Sequence, residues 1–343
     1  MDDTNVTEAN RRLGKKQWYF GVFILFSIFI IVITLNLSYN SKDTYHLLIV
    51  GDSIGEGAGA SDPVHKWYRL LIPFLEKRYK CQVEITNVSI GGSSSYAGYV
   101  QIMELDRKEE FDLIIICYGE NDAEEEFSLY YEVLLRTLSE KYPASPKLAI
   151  LESSQQEYTF KIKMIQSLCR HYGVYIADTI QGFADSGLPY DVLCDDGVHP
   201  NDEGQKVYYD TVKAAIEALP EERGTEVGEA TEPVNEEALG FDVIQYIPFK
   251  RFSKVDEFTY ELPINASGRL GIDYTTIEGE NNITVLVDGE FGVDKKIVWT
   301  YGFRQQRIEV LLDQCVIKEK IQICFSSTDQ AESFHGIILS KSR

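Results

Sequence analysis

Residues 46–57 read HLLIVGDSIGEG. A short, continuous apolar run such as Leu47–Val50, closed by a glycine, is the pattern of a strand buried on both faces of a sheet. Gly51, Gly55 and Gly57 permit a tight strand-to-helix turn after it, and such a turn leaves the Ser53 hydroxyl exposed at the strand's carboxyl end. A nucleophile needs that exposure. By itself, however, Gly-Asp-Ser is an ordinary capped turn, so its weight depends on what the rest of the chain sets beside it.

Outward from this stretch, residues 46–218 alternate strand-like and helix-like segments. Apolar runs QVEITNV (82–88), DLIIICYG (112–119), KLAILES (147–153) and VYIADT (174–179) are separated by amphipathic stretches near 64–79, 97–107, 126–141 and 158–171, and a last one follows near 203–218. This alternation predicts a parallel sheet covered by helices on both faces. In open sheets of this kind the ligand site lies at the carboxyl ends of the strands.

Three more polar motifs fall at such ends. The loop DDGVHPNDEGQ (195–205) sets Asp196 three residues before His199. A serine hydroxyl is a poor nucleophile at neutral pH, so an imidazole must take its proton and a carboxylate must fix the imidazole's tautomer. One loop can supply both partners to Ser53. The plainer alternative is that His199-Pro200 only opens a helix whose N-cap is Asn201. NVSIGGSSS (87–95) offers a backbone N–H at Gly92, and ICYGEND (116–122) offers the amide of Asn121, either of which can donate to a developing oxyanion. Taken singly, each is more often just a turn.

The ordered set GDS (51–53), NVSIGG (87–92), GEND (119–122) and DGVH (196–199) resembles the four conserved blocks of the SGNH/GDSL hydrolases, over roughly residues 46–219. The resemblance implies a flavodoxin-like three-layer α/β/α fold with sheet order 2-1-3-4-5. It implies Ser53 as nucleophile, His199 as base and Asp196 as the residue that orients His199. The oxyanion hole would comprise the Ser53 N–H, the Gly92 N–H and the Asn121 side chain, and no metal or cofactor is required. One departure stands out: Glu120 occupies a position where the family often has a second glycine, and Glu124, Glu125 and Glu126 follow it. That run reads either as a solvated helix start that complements the macrodipole or as an acidic rim that repels anionic acyl donors.

Beyond this region, Trp18 to Leu37 is a run of 20 residues without a charge. At 1.5 Å per residue it spans about 30 Å, the thickness of a bilayer's hydrocarbon core. Arg11, Arg12, Lys15 and Lys16 precede it, so the expectation is a cytoplasmic tail (1–17), a transmembrane helix (18–37), a short tether (38–45) and everything later outside the cell. Residues 220–240 contain seven glutamates and two prolines without apolar periodicity, the composition of a solvated linker. About eight short β-rich segments follow in 241–343, which predicts an antiparallel sandwich or jelly roll with a hairpin turn at Asp288-Gly289. Of the aromatic residues there, Trp299, Tyr301, Tyr274 and Phe303, a binding role would require at least two exposed together. Six cysteines are spread without metal-ligand spacing, and no pairing is selected among them.

A net charge of −21 argues against nucleic acid or an anionic lipid surface as partner. The expectation is therefore a membrane-anchored extracellular esterase that removes small acyl groups, acetyl above all, from carbohydrate or envelope polymer. The alternatives are a polysaccharide O-acetyltransferase with the same triad, a lipase or lysophospholipase, and a non-catalytic glycan-binding scaffold.

Overall fold

The computed structural model describes residues 43–220 and 232–342. The expected tail and transmembrane helix lie outside these residues, and among the described ones no helix is long and apolar enough to cross a membrane.

Strand β1 (Thr44–Gly51) pairs in parallel with β2 (Gln82–Asn87) on one side and β3 (Leu113–Cys117) on the other. β4 (Lys147–Leu151) and β5 (Tyr175–Asp178) extend the sheet, so the order is 2-1-3-4-5 as expected. The continuous apolar runs are explained by burial on both faces. Leu48, Val50, Ile114 and Ile116 point to a core shared with α3 (Glu124–Lys141) and α4 (Phe160–Tyr172), which follow α2 (Ser95–Glu104). Their neighbours Leu47, Ile49, Leu113 and Ile115 point the other way, to a core shared with α1 (Trp67–Tyr79) and α7 (Asp202–Glu217). Alternation within a wholly apolar run thus assigns each residue to one layer. Fully burying one such side chain contributes about 1.5–3 kcal/mol. The short helices α5 (Thr179–Asp185) and α6 (Tyr190–Leu193) complete the approach to α7.

The second half folds into two antiparallel sheets. One has the order β11-β10-β13-β8-β7, made of β7 (Ser253–Lys254), β8 (Thr259–Pro263), β10 (Gly279–Val287), β11 (Glu290–Trp299) and β13 (Lys320–Phe325). The other, β12-β9-β14-β6, is made of β6 (Val243–Pro248), β9 (Ala266–Thr275), β12 (Gln306–Ile317) and β14 (Phe334–Lys341). Ile283, Val285, Ile321 and Ile323 of the first sheet meet Ile247, Leu270, Ile272 and Ile337 of the second in one core, the expected sandwich. Asp288 and Gly289 both have positive φ, 53° and 85°, and join β10 to β11 in a two-residue turn.

The two halves share a core. Tyr96, Tyr99 and Val100 of α2 and Tyr130 and Val133 of α3 pack with Phe241, Ile308 and Ile338, and the Tyr99 hydroxyl donates to the Phe241 carbonyl at 2.8 Å. The four-stranded sheet is therefore covered on both faces, which explains the unbroken apolar run Ile337-Ile338-Leu339 in β14.

Residues 221–231 of the expected solvated linker lie outside the described residues, but 232–240 are pinned to the α/β half. The buried Glu132 carboxylate on α3 accepts the backbone N–H groups of Val234 and Asn235 at 2.5 and 2.8 Å, together with the Asn235 side-chain amide. Residues Glu236–Phe241 then form a 3-10 turn whose Ala238 and Phe241 enter the shared core.

Candidate active site

Ser53 stands at the first residues past β1. Its turn is closed by the Glu56 N–H on the Asp52 carbonyl (3.0 Å) and the Ala58 N–H on the Ser53 carbonyl (2.9 Å), and the Trp67 indole holds the Ile54 carbonyl. The loop between α6 and α7 ends where Asn201 caps α7 by accepting from Glu203 and Gly204. Gly59, with φ 89°, lies against the Pro200 carbonyl so closely that no side chain would fit. Gln205, wholly buried, ties the two loops: its amide donates to the carbonyls of Ala58 and Pro200, and its oxygen accepts the Trp67 N–H at 2.8 Å.

These contacts bring Ser53, His199 and Asp196 together. His199 Nε2 lies 2.9 Å from Ser53 Oγ, and His199 Nδ1 lies 2.6 Å from Asp196 Oδ2. The bond to the carboxylate draws the ring proton to Nδ1, which leaves Nε2 free to accept the serine proton. Asp196 Oδ1 is occupied by the N–H groups of Val198 and His199 at 2.9 and 2.8 Å. Desolvation raises the Asp196 carboxyl, but the His199 side chain and the two N–H groups outweigh it and hold the group down to about 2. Asp196 is thus ionised over the whole physiological range.

The expected oxyanion donors lie on loops tied to the turn that carries Ser53: the Ile90 N–H donates to the Gly51 carbonyl at 2.9 Å, and Asn121 bonds Asp52. Among the described residues, no group accepts the backbone N–H of Ser53 or of Gly92, so both donors are unspent. Asn121 Nδ2 donates one hydrogen to Asp52 Oδ2 at 2.8 Å, which fixes the amide with nitrogen rather than oxygen toward Ser53's turn and leaves its second hydrogen available. Gly92 has φ 67°, a conformation that favours glycine.

Residues 49–207 match the GDSL-like lipase/acylhydrolase family. They form a domain of that family. The protein is accordingly a carboxylic ester hydrolase. No curated protein sequence matches the chain. Two crystal structures of a two-domain esterase active on acetylated mannans, one of them with mannopentaose, resemble the chain with TM-scores of 0.71 and 0.69 at 14% and 16% identity. Each match covers 91% of this chain and 95% of that one. At such identity the likeness is one of fold, and it spans both halves. A G-D-S-L family protein from Veillonella parvula is matched over its full length by 51% of this chain, at a TM-score of 0.43 and 15% identity.

Next to Ser53 in the chain, Asp52 belongs to a second group of carboxylates, of which Asp52, Asp122 and Glu152 are buried where Asp196 is exposed. Asp52, wholly buried, is pushed up to about 8 by burial, against the Ile54 N–H that pulls it down, with Asp122 and Glu120 adding to the rise. Glu152, at the end of β4 and also wholly buried, is raised by burial and then by the Asp52 charge; its Oε2 accepts the Glu120 N–H at 2.9 Å. Asp122 is raised to about 6 by burial, opposed by its bonds from Ser95 and by Lys161. Glu120, the departure from the family pattern, is fixed by the Ser154 hydroxyl and the Gln155 amide at 2.8 and 2.7 Å. Glu124, Glu125 and Glu126 occupy the exposed first turn of α3, where they complement its dipole.

The sandwich of the esterase also touches this site. Gln305, just before β12, donates from its amide to the Gly91 carbonyl, and Arg307 on β12 donates to the Gly92 carbonyl. Nothing in the local sequence marks either residue for this contact. Of the four aromatic residues considered for binding, Trp299 and Tyr274 are buried, whereas Tyr301 and Phe303 are 58% and 57% exposed on the loop that leads to Gln305. All six cysteines are free thiols.

Proposed function

We propose that the protein is a membrane-anchored extracellular esterase that removes small acyl groups, chiefly acetyl, from carbohydrate or envelope polymer through a Ser53-His199-Asp196 triad and an acyl-enzyme. The observation that carries the reading is the continuous relay from Ser53 Oγ to His199 Nε2 at 2.9 Å and from His199 Nδ1 to Asp196 Oδ2 at 2.6 Å. In the first step Ser53 Oγ attacks the ester carbonyl as His199 takes its proton. The oxygen that becomes negative is met by the N–H groups of Ser53 and Gly92 and by the Asn121 amide. His199⁺ then protonates the departing sugar oxygen, and a water activated by the same ring releases the acid.

Three features support a glycan ester over a lipid. The net charge of −21 disfavours anionic lipid and anionic acyl donors. The rings of Tyr301 and Phe303 stand 5.6 Å apart on the loop that reaches the serine's surroundings, a surface suited to the apolar face of a sugar. The two-domain esterase that shares the fold acts on acetylated mannans, which makes that polymer the first to try. Membrane attachment rests on the charge-free run 18–37 and the basic residues before it. Because β1 begins near that run and ends at Ser53, the site would face away from the bilayer.

The test is acetate release from acetylated mannan and acetylated xylan by the full chain, with and without acceptor sugars, beside a phospholipid substrate. Acetate release without need of an acceptor supports the hydrolase. Release only with an acceptor, and acetyl found on it, assigns the O-acetyltransferase alternative. Turnover confined to phospholipid refutes the glycan reading.

A further inference from the structure

In the proposed reaction the Gly92 N–H is a donor to the oxyanion, and that N–H belongs to the same peptide unit as the Gly91 carbonyl. A trans peptide is planar, with its C=O and N–H pointing in opposite directions. Whatever holds the Gly91 oxygen therefore sets where the Gly92 hydrogen aims. Two adjacent glycines, the second at φ 67°, impose little steric preference on that plane, so the local sequence leaves its orientation free to turn.

The hold comes from the other half of the molecule, more than two hundred residues along the chain. Gln305 Nε2 donates to the Gly91 carbonyl, and a Cβ on Gly92 would lie 2.6 Å from that same nitrogen, so the glycine is what lets the amide reach in. Arg307 Nη1 donates to the Gly92 carbonyl and so pins the following peptide unit as well. Both residues are firmly seated. The Gln305 backbone is bonded twice to Thr276, its N–H donating to the Thr276 hydroxyl at 2.9 Å and its carbonyl accepting the Thr276 N–H at 2.8 Å, and Thr276 is buried. Arg307 lies 5.5 Å over the Trp299 ring, whose indole closes the loop on the Phe303 carbonyl at 2.6 Å. The shared core of Tyr96, Phe241, Ile308 and Ile338 holds β12 in register with α2, directly after the glycine loop.

We infer that Gln305, assisted by Arg307, is a positioning residue for the reaction: the sandwich sets the Gly91–Gly92 peptide and thereby completes the oxyanion hole. The inference rests on the triad reading above. It assigns the second domain a part in the chemical step for any ester, including one that carries no sugar. Donation into the Gly91 carbonyl also polarises that peptide and strengthens its N–H as a donor.

The experiment measures p-nitrophenyl acetate hydrolysis by the full chain in detergent, for wild type and for Gln305→Ala, Gln305→Glu, Arg307→Ala and Ser53→Ala, with the Tm of each. Arg304→Ala, an exposed neighbour, is the control. The Gln305 and Arg307 variants should lose about 10- to 100-fold in kcat with KM within about twofold, and Gln305→Glu should lose most, because its carboxylate repels the Gly91 oxygen. Gln305→Asn, one methylene shorter, should recover part of the loss, and it carries the test if Gln305→Ala does not fold. Arg304→Ala should match wild type. Wild-type kcat in Gln305→Ala and Gln305→Glu at unchanged Tm would overturn the inference, as would a rise in KM alone, which marks a substrate contact. Wild-type turnover in Ser53→Ala would instead remove the triad reading on which it stands.

Discussion

Two aspartates flank the same serine and behave in opposite ways. Asp196 is exposed, accepts two backbone N–H groups and a histidine, and is held down to about 2. Asp52 is wholly buried among Glu152, Asp122 and Glu120 and is pushed up to about 8. The difference shows that the environment, not the residue type, sets the charge: the carboxylate that the proposed triad needs ionised is surrounded by donors, and the one bonded to Asn121 lies in a dry, acidic nest. Their contributions to stability run in opposite senses. The Asp196 contribution is present above the free carboxyl value of 3.8 and is lost as pH falls toward about 2. The Asp52 contribution is present below 3.8 and is lost as pH rises toward about 8.

Each side of this comparison can be broken separately. Asp196→Asn should lower kcat about 10³- to 10⁴-fold for p-nitrophenyl acetate with the fold intact, because the amide cannot fix the tautomer. Asn121→Ala should lower kcat about 10²- to 10³-fold while leaving KM nearly unchanged. Asp52→Asn should cost about tenfold, since its single carbonyl oxygen can keep only one of the two bonds that Asp52 accepts, from the Ile54 N–H and from the Asn121 amide. The same variant sharpens the electrostatic contrast: wild-type Tm should fall as pH rises from about 4 to about 8, and Asp52→Asn should flatten the upper part of that slope. A Tm that rises over that interval in wild type would contradict the buried nest. The smallest effect is on stability alone. Gln205→Ala, which strands the Ala58 and Pro200 carbonyls and the Trp67 N–H, should cost about 1–3 kcal/mol in urea unfolding.

The α/β half was legible because its signals are local. Leu47–Val50 and the run in β3 announced strands buried on both faces, and Gly-Asp-Ser, Gly92 and Asn121 each fall within a few residues of a strand end, where such sheets place their sites, whereas Asp196-x-x-His199 follows β5 only after the short helices α5 and α6. The helix cap at Asn201 followed from the same loop. What the sequence hid depends on distance or on surroundings. Glu152 closes an apolar strand with no local signal of its own, yet it is buried against like charges that only the sheet order brings near. Residues 232–240 have a linker's composition, but one buried glutamate on α3 captures their backbone. Gln305 and Arg307 are ordinary polar residues of a strand start, and only the packing of β12 on α2 carries them to the glycine loop. The short β7 escaped notice because two residues hold no period.

The central claim is that Ser53 is the nucleophile of an ester hydrolase, and the most direct test is to trap it. The full chain is treated with an alkyl fluorophosphonate, which forms a stable tetrahedral adduct with an activated serine, and the modified peptide is sequenced by mass spectrometry. The account predicts one adduct, on Ser53, absent from Ser53→Ala and strongly slowed in His199→Ala. An adduct on another residue, or unmodified Ser53 in a protein that still hydrolyses p-nitrophenyl acetate, would contradict it.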